Sequence, residues 1–265
     1  MVDSGIAETA MLRGIYRYPV KGLSPEPMSA VALTAGETLP LDRRYAIENG
    51  PSGFDPAAPK WLPKAQFLML MRNERLASLD ARFDEASHVL TIRRQGCELV
   101  RGDLDTEAGR VAIEDLFGRI FTKELRGPPR ILRAPGHSFS DVARKVVSII
   151  NLSSVAELEG PVGRPVNPLR FRGNLHVSGW PARHEFALMG ATLAIGAARV
   201  KIIKRIVRCG AINVDPENGL RDLDLPRAMM RAHGHDDCGV YAEVIADGAI
   251  TVGDQVRLVS RPGWS

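Results

Sequence analysis

Glycine and proline interrupt this chain so often, at 25 and 18 of its 265 residues, that most of its segments are short and bounded by turns. Between the interruptions lie short strand-like runs: MLRGIYRYPV from Met11, RRYAIEN from Arg43, FRGNLHVSG from Phe171 and GVYAEVIADG from Gly239. LASLDARFD and HVLTIRRQG form a hairpin-like pair around Glu85–Ser87, and VVSIIN from Val146 suits a buried strand. Helical signals are few. IEDLFGRIFTKEL spaces Leu116, Ile120 and Phe121 on one face, and KAQFLMLMRN from Lys64 suits a short helix or a strand. Ser154 with Glu157 makes a capping box, and LPRAMMRAH carries Asp224 as cap with Pro226 in its first turn. The pattern predicts a mainly β, α+β chain built from two β-barrel-like domains. RGPPRILRAPGH looks like their connector, which sets the domains at 1–127 and 128–265.

A hydrophobic fraction of 45% with 25% charged residues supports a packed core. No apolar run approaches the roughly 18 residues that a membrane span needs. The N-terminal residues carry acids and no basic flank, so no secretory leader is expected. Three cysteines, Cys97, Cys209 and Cys238, are too few and too odd for a disulfide framework; free thiols and a cytoplasmic location are expected.

The net charge of +4 hides an asymmetry. Residues 161–210 hold nine basic side chains and a single acid, Glu185. Such a run is often a solvated face. Nucleic acid would call for interleaved aromatics, which are sparse here, so an anion pocket is the preferred reading and nucleic acid is not expected. Nucleophile-elbow, P-loop, HExxH and dinucleotide motifs are absent. Chemistry therefore centres on Cys209, which ends a β-branched run beside Arg208, Arg205 and Lys204; positive neighbours favour a thiolate over a thiol. An inert core cysteine is the alternative. Ser153 and Ser154, at a helix start, can cap the helix or receive a phosphate. His233, His235, Asp236, Asp237 and Cys238 match no well-specified zinc spacing, and Cys97 reads as a passive sheet residue.

Several of these segments resemble, in order and spacing, the MOSC (molybdenum cofactor sulfurase C-terminal) family with its N-terminal β-barrel domain. They are YPVK at Tyr18–Lys21, LDRRY at Leu41–Tyr45, KAQFLMLMR at Lys64–Arg72, RFRGN at Arg170–Asn174, and RC with VDP at Arg208, Cys209 and Val214–Pro216. GVYAEV and GDQV resemble the family's closing strands. The resemblance implies a shared cleft holding a molybdenum cofactor (molybdopterin), with Cys209 as metal ligand and catalytic residue. It implies cofactor contacts from Lys21, Arg43, Ser153, Ser154, Arg172, Asn174 and Arg208. The activity it implies is an oxidoreductase, similar to the amidoxime-reducing components, that acts on N-hydroxylated small molecules. The alternative is a cofactor carrier or a sulfur-transfer protein using a Cys209 persulfide. Gly22 departs from the polar residue many relatives have after YPVK. The cysteines do not suffice for the ferredoxin domain of some bacterial relatives, so electrons are expected from a separate ferredoxin- or cytochrome-like donor with its reductase. No membrane partner is expected.

Overall fold

The computed structural model describes residues 9–261; residues 1–8, part of the segment read as carrying no leader, and 262–265 lie outside them. The first-half strands are β1 (Thr9–Arg17), β2 (Glu26–Met28), β3 (Ala30–Leu33), β4 (Ala46–Glu48), β5 (Asp80–Phe83), β6 (Val89–Arg94) and β7 (Cys97–Asp103). Helix α1 (Glu107–Ile120) and β8 (Arg130–Leu132) lead into β9 (Val147–Asn151). Helices α2 (Leu152–Glu157) and α3 (Glu159–Val162) precede β10 (Leu175–Ser178), β11 (Thr192–Ile195) and β12 (Ala198–Val207). After α4 (Leu225–His233) come β13 (Asp237–Ala246), β14 (Gly248–Thr251) and β15 (Gln255–Ser260).

Seven strands close a barrel in the order β10-β9-β13-β12-β11-β15-β1, with β1 pairing back onto β10 and β2 extending from β1. Only β9 and β10 run parallel; the other pairs are antiparallel. The interior is aliphatic, with Leu12, Ile15, Ile149, Val177, Leu193, Val200, Ile202, Val240 and Val256 among its members. Period-two alternation produces this inside. On β12, Ala198, Val200 and Ile202 are buried while Lys201 is exposed. Register shifts past Ile202 and Arg205 then break the alternation, so the strand's end turns outward and presents Ile206 to Cys209 to a cleft beside the barrel. Strand β9 is buried on both faces, which its apolar run required.

The chain is mainly β with few helices, as its segment pattern implies. Among the described residues, however, one barrel closes, where two were expected. The first half forms an antiparallel sheet, β5-β6-β7, and a ribbon, β4-β8, both left open. Helix α1 packs on β7 and β8 and covers the apolar face that a closing sheet would otherwise bury. Ile47, Leu68, Leu90, Ile92, Ile113 and Phe117 form this second core, which Val214 from the second half enters. The sheets also divide the chain differently from a single cut at 127/128. β1 and β2 belong to the barrel's sheet, and β3 pairs with β14. One expectation needs correction: the helix after β9 starts at Leu152 with Asn151 as N-cap, whose side chain accepts from the Ser153 N–H, so Ser154 lies inside the helix and caps nothing. No helix among the described residues is long and apolar enough to cross a membrane.

Gly102 on β7 and Gly109 on α1 let the two elements touch through backbone, and a Cβ on Gly109 would overlap the Asp103 carbonyl. Helix propensity alone favours Gly109→Ala by about 1 kcal/mol. The contact reverses the sign: Gly109→Ala is expected to destabilise by about 1–3 kcal/mol, as overpacking does, in urea or thermal melts. A variant as stable as wild type would mean that α1 can move off β7.

Candidate functional site

A cleft of about 1040 Å³, counting the solvent at its mouth, lies where the barrel meets the first-half sheets. Its walls include Lys21, Asp42, Arg43, Lys64, Asp141, Arg172, Asn174, Arg208, Cys209 and Tyr241. Six of the eight residues expected to serve one site, spread over nearly 190 positions of sequence, thus meet here.

The YPVK segment enters directly from β1. Tyr18 is fully buried, Val20 packs in the second core, and the Lys21 N–H donates to the Tyr45 carbonyl at 2.8 Å. Lys21 Nζ donates to the Phe139 carbonyl at 2.9 Å and pairs with Asp141. Burial pushes the Lys21 ammonium down, and Asp141 opposes that. Gly22, the departure from the family pattern, has φ +86°, and a Cβ there would sit 3.2 Å from the Leu68 carbonyl. The turn therefore favours glycine where a hydroxyl-bearing side chain would be strained. In LDRRY, Asp42 accepts from the Tyr18 N–H at 2.9 Å and pairs with the Arg43 guanidinium. Arg43 has φ +52°, and its Nη2 donates to the Arg172 carbonyl at 3.0 Å.

RFRGN divides its labour residue by residue. Arg170, almost wholly buried, pairs with Asp215 and Asp222 and anchors the segment. Phe171 enters the core beneath α4. Arg172 takes φ +50° as the cap of the 3-10 turn Pro168–Phe171, which swings its side chain into the cleft. There Nη1 donates to the Leu23 carbonyl at 2.8 Å, while Nη2 is buried with no partner among the described residues. Burial first, and then the like charge of Arg43, bring Arg172 down to about 10, with Tyr18 acting the other way. Gly173 leaves room for Ile150, which a Cβ would overlap. Asn174 is a strand clip: its Oδ1 accepts from Ser148 N and Oγ, and its Nδ2 donates to the Tyr16 carbonyl. Arg208 is likewise committed, donating to the Cys238 carbonyl at 2.7 Å and to the Phe171 carbonyl at 2.8 Å.

Cys209, half-buried, follows β12 and heads the 3-10 turn Gly210–Asn213. Lys64 Nζ from the first half lies 3.2 Å from its sulfur. Arg221 fastens the two halves nearby, donating from Nη1 to the Gly210 carbonyl at 2.8 Å and from Nη2 to the Met71 carbonyl at 2.7 Å. The motifs YPVK, KAQFLMLMR and GVYAEV contain Tyr18, Lys64 and Tyr241, to which the sequence assigned no role, and Asp141 lies in no motif.

Ser153 and Ser154 are not in the cleft. Ser154 Oγ donates to the buried Glu185 carboxylate at 2.8 Å and accepts from the Arg183 N–H at 2.8 Å, so its hydroxyl is already engaged. Asn151 Nδ2 also donates to Glu185, and the set closes a polar joint between α2 and the turn at His184. Cys238 is buried, and burial pushes its thiol up to about 12. His235 Nδ1 accepts from the Asp237 N–H at 3.1 Å, which is turn chemistry. Cys97 is exposed at the start of β7.

Residues 135–257 match the family model described as MOSC domain. No curated protein matches the chain. Among solved structures, the chain is similar to YiiM from Geobacillus stearothermophilus, with 22% identity, a TM-score of 0.36, and coverage of 44% of this chain and 55% of that one. For YiiM from Escherichia coli the identity is 21%, the TM-score 0.34 and the coverage 43% and 54%. The match thus spans about half the length of each YiiM chain. The YUAD protein from Bacillus subtilis is similar over 94% of both chains at 14% identity, with a TM-score of 0.44.

The Lys21–Asp141 pair has a pH signature. Asp141 is half exposed, so the desolvation that favours its protonated form is partial, and Lys21, with Arg43 and Lys64 behind it, outweighs it and brings the carboxyl down to about 2. A carboxyl depressed in the folded state stabilises the fold above its unfolded value near 4, and that contribution is lost as pH falls towards about 2. Asp141→Asn is expected to lower stability at neutral pH and to flatten the fall in urea midpoint between about pH 4 and pH 2. Parallel wild-type and variant curves would remove the pair from this account.

Proposed function

We propose that this chain, which carries a MOSC domain over residues 135–257, is a molybdenum-cofactor-binding oxidoreductase that reduces N-hydroxylated small molecules with electrons from a separate protein. The MOSC family is associated with binding of this cofactor. The observation that supports the reading here is one cleft in which Cys209 faces a cationic wall whose Arg172 keeps a buried, unpaired N–H. Buried donors without partners are rare, and a phosphate oxygen is the acceptor that such a wall suits. The donor set fits the cofactor: a thiolate is a soft ligand for the metal, and Lys21, Arg43 and Arg172 suit its phosphate. Arg208 and Asn174 hold the walls in place, since their polar atoms are engaged by backbone and Ser148.

When bound, the cofactor would supply two-electron, oxygen-accepting chemistry that the side chains lack. Reduction of an N-hydroxyl group breaks its N–O bond, consumes two electrons and two protons, and releases water. Lys64 holds a proton at Nζ next to the sulfur; burial lowers that ammonium, but Cys209 and Asp141 outweigh it and hold it above its ordinary value. Met69, Leu70 and Met71 are among the apolar residues of the lining.

A second reading, a cofactor carrier or sulfur-transfer protein, draws on the same contact. A persulfide on half-buried Cys209 would place negative charge beside the Lys64 ammonium.

Cys209→Ser separates them, in protein from a cofactor-competent host. For the reductase, the variant stays folded and changes the spectroscopic signature of the metal. It also abolishes reduction of an amidoxime by an artificial donor. For the carrier, the variant fails to accept labelled sulfur from a desulfurase while any bound molybdenum looks unchanged. A variant that keeps both activities would reject both readings. Arg172→Ala is expected to lower molybdenum and pterin content in the folded protein, and Arg172→Lys to restore only part, because it lacks the guanidinium fork. Equal content in all three proteins would remove Arg172 from the phosphate site.

A further inference from the structure

We propose that Tyr18 is a positioning residue for anion recognition, its ring holding Arg43 and Arg172 together so that two like charges serve one ligand. This rests on reading the cleft as a phosphate-binding site. The Tyr18 ring centroid lies 4.8 Å from the Arg43 guanidinium and 4.2 Å from that of Arg172. The ring is fully buried, and among the described residues its hydroxyl makes one long 3.4 Å contact, with the Gly173 carbonyl. The aromatic face, more than the hydroxyl, is what the arginines meet.

Two further contacts and its place in the chain make Tyr18 the fixed point. Its N–H donates to Asp42 at 2.9 Å, its carbonyl accepts from the Arg43 N–H at 2.7 Å, and it directly follows β1. The arginines are the less settled partners, since both occupy left-handed backbone that ordinary side chains avoid. Two guanidinium groups brought together out of water repel each other. Asp42 already neutralises Arg43, and the aromatic face, a neutral surface with negative potential, offsets part of the remaining repulsion without a second carboxylate. A carboxylate in its place would compete with the ligand for both arginines. The ring thus lets the pair keep a donor, Arg172 Nη2, unspent.

The test is binding of inorganic phosphate to the full chain without cofactor, by titration calorimetry or equilibrium dialysis. Wild type is compared with Tyr18→Phe, Tyr18→Leu, Tyr18→Met, Arg172→Ala and the double variant Tyr18→Leu/Arg172→Ala. Protection of buried Cys238 from a thiol reagent reports that each variant is folded, and Tyr18→Met replaces Tyr18→Leu if the latter fails that check. Tyr18→Phe is expected to bind within about twofold of wild type. Tyr18→Leu or Tyr18→Met is expected to bind about tenfold more weakly. Because Tyr18 acts in part through Arg172, the loss in the double variant should fall short of the product of the two single losses. Wild-type affinity in folded Tyr18→Leu or Tyr18→Met, or losses that multiply in the double variant, would overturn the role of Tyr18 and leave the phosphate site standing. No phosphate binding by wild type would overturn the site reading and this role with it.

Discussion

Closure of the barrel depends on its first strand. β1 lies between β10 and β15, and without it the remaining six strands would leave two unpaired edges. Such edges are exposed to pairing with other chains. The residues matched by the domain model, 135–257, do not include β1, so the N-terminal segment supplies the strand that closes the barrel. The same pairing delivers the site. The Tyr16 N–H donates to the Asn174 carbonyl, Asn174 holds Ser148, and Tyr18 to Lys21 leave the barrel straight into the cleft.

The cleft gathers six cations against two carboxylates, Asp42 and Asp141, in its lining. Gathering charge in a half-buried space is costly unless each group finds a partner. Arg170 has Asp215 and Asp222 behind the wall, and Arg208 has two carbonyls. Lys21 has Asp141, and Arg43 has Asp42. Lys64 has the sulfur of Cys209, and Arg172 is left with one donor unspent. The basic excess of residues 161–210 is therefore partly structural, partly a cleft wall and partly surface. Arg183 pairs with Glu157, and Arg205 lies over the Phe186 ring.

Backbone conformation is spent in the same place. Leu41, Arg43 and Arg172 all have positive φ without being glycine. Each such residue costs on the order of 1–3 kcal/mol and persists only where its surroundings hold it. Here the holding contacts are backbone bonds, from the Arg43 N–H to the Tyr18 carbonyl and from the Phe139 N–H to the Arg43 carbonyl.

The sequence by itself determined the local properties. Alternation marked β6 as a strand, a β-branched run marked β12, an apolar run marked β9 as a buried strand, and Pro226 marked the start of α4. The resemblance of its motifs, in order and spacing, to those of the MOSC family grouped Lys21, Arg43, Arg172 and Cys209 into one expected site. Only the tertiary structure decided what depends on distance through space. It committed Ser154 to Glu185, kept the first-half sheets open, brought Lys64 to Cys209 across 145 positions, and set two arginines against Tyr18. A hydroxyl, an ammonium or a ring has the same chemistry wherever it stands in a sequence; its partner is set by which strands pair, and that depends on long-range closure of the barrel.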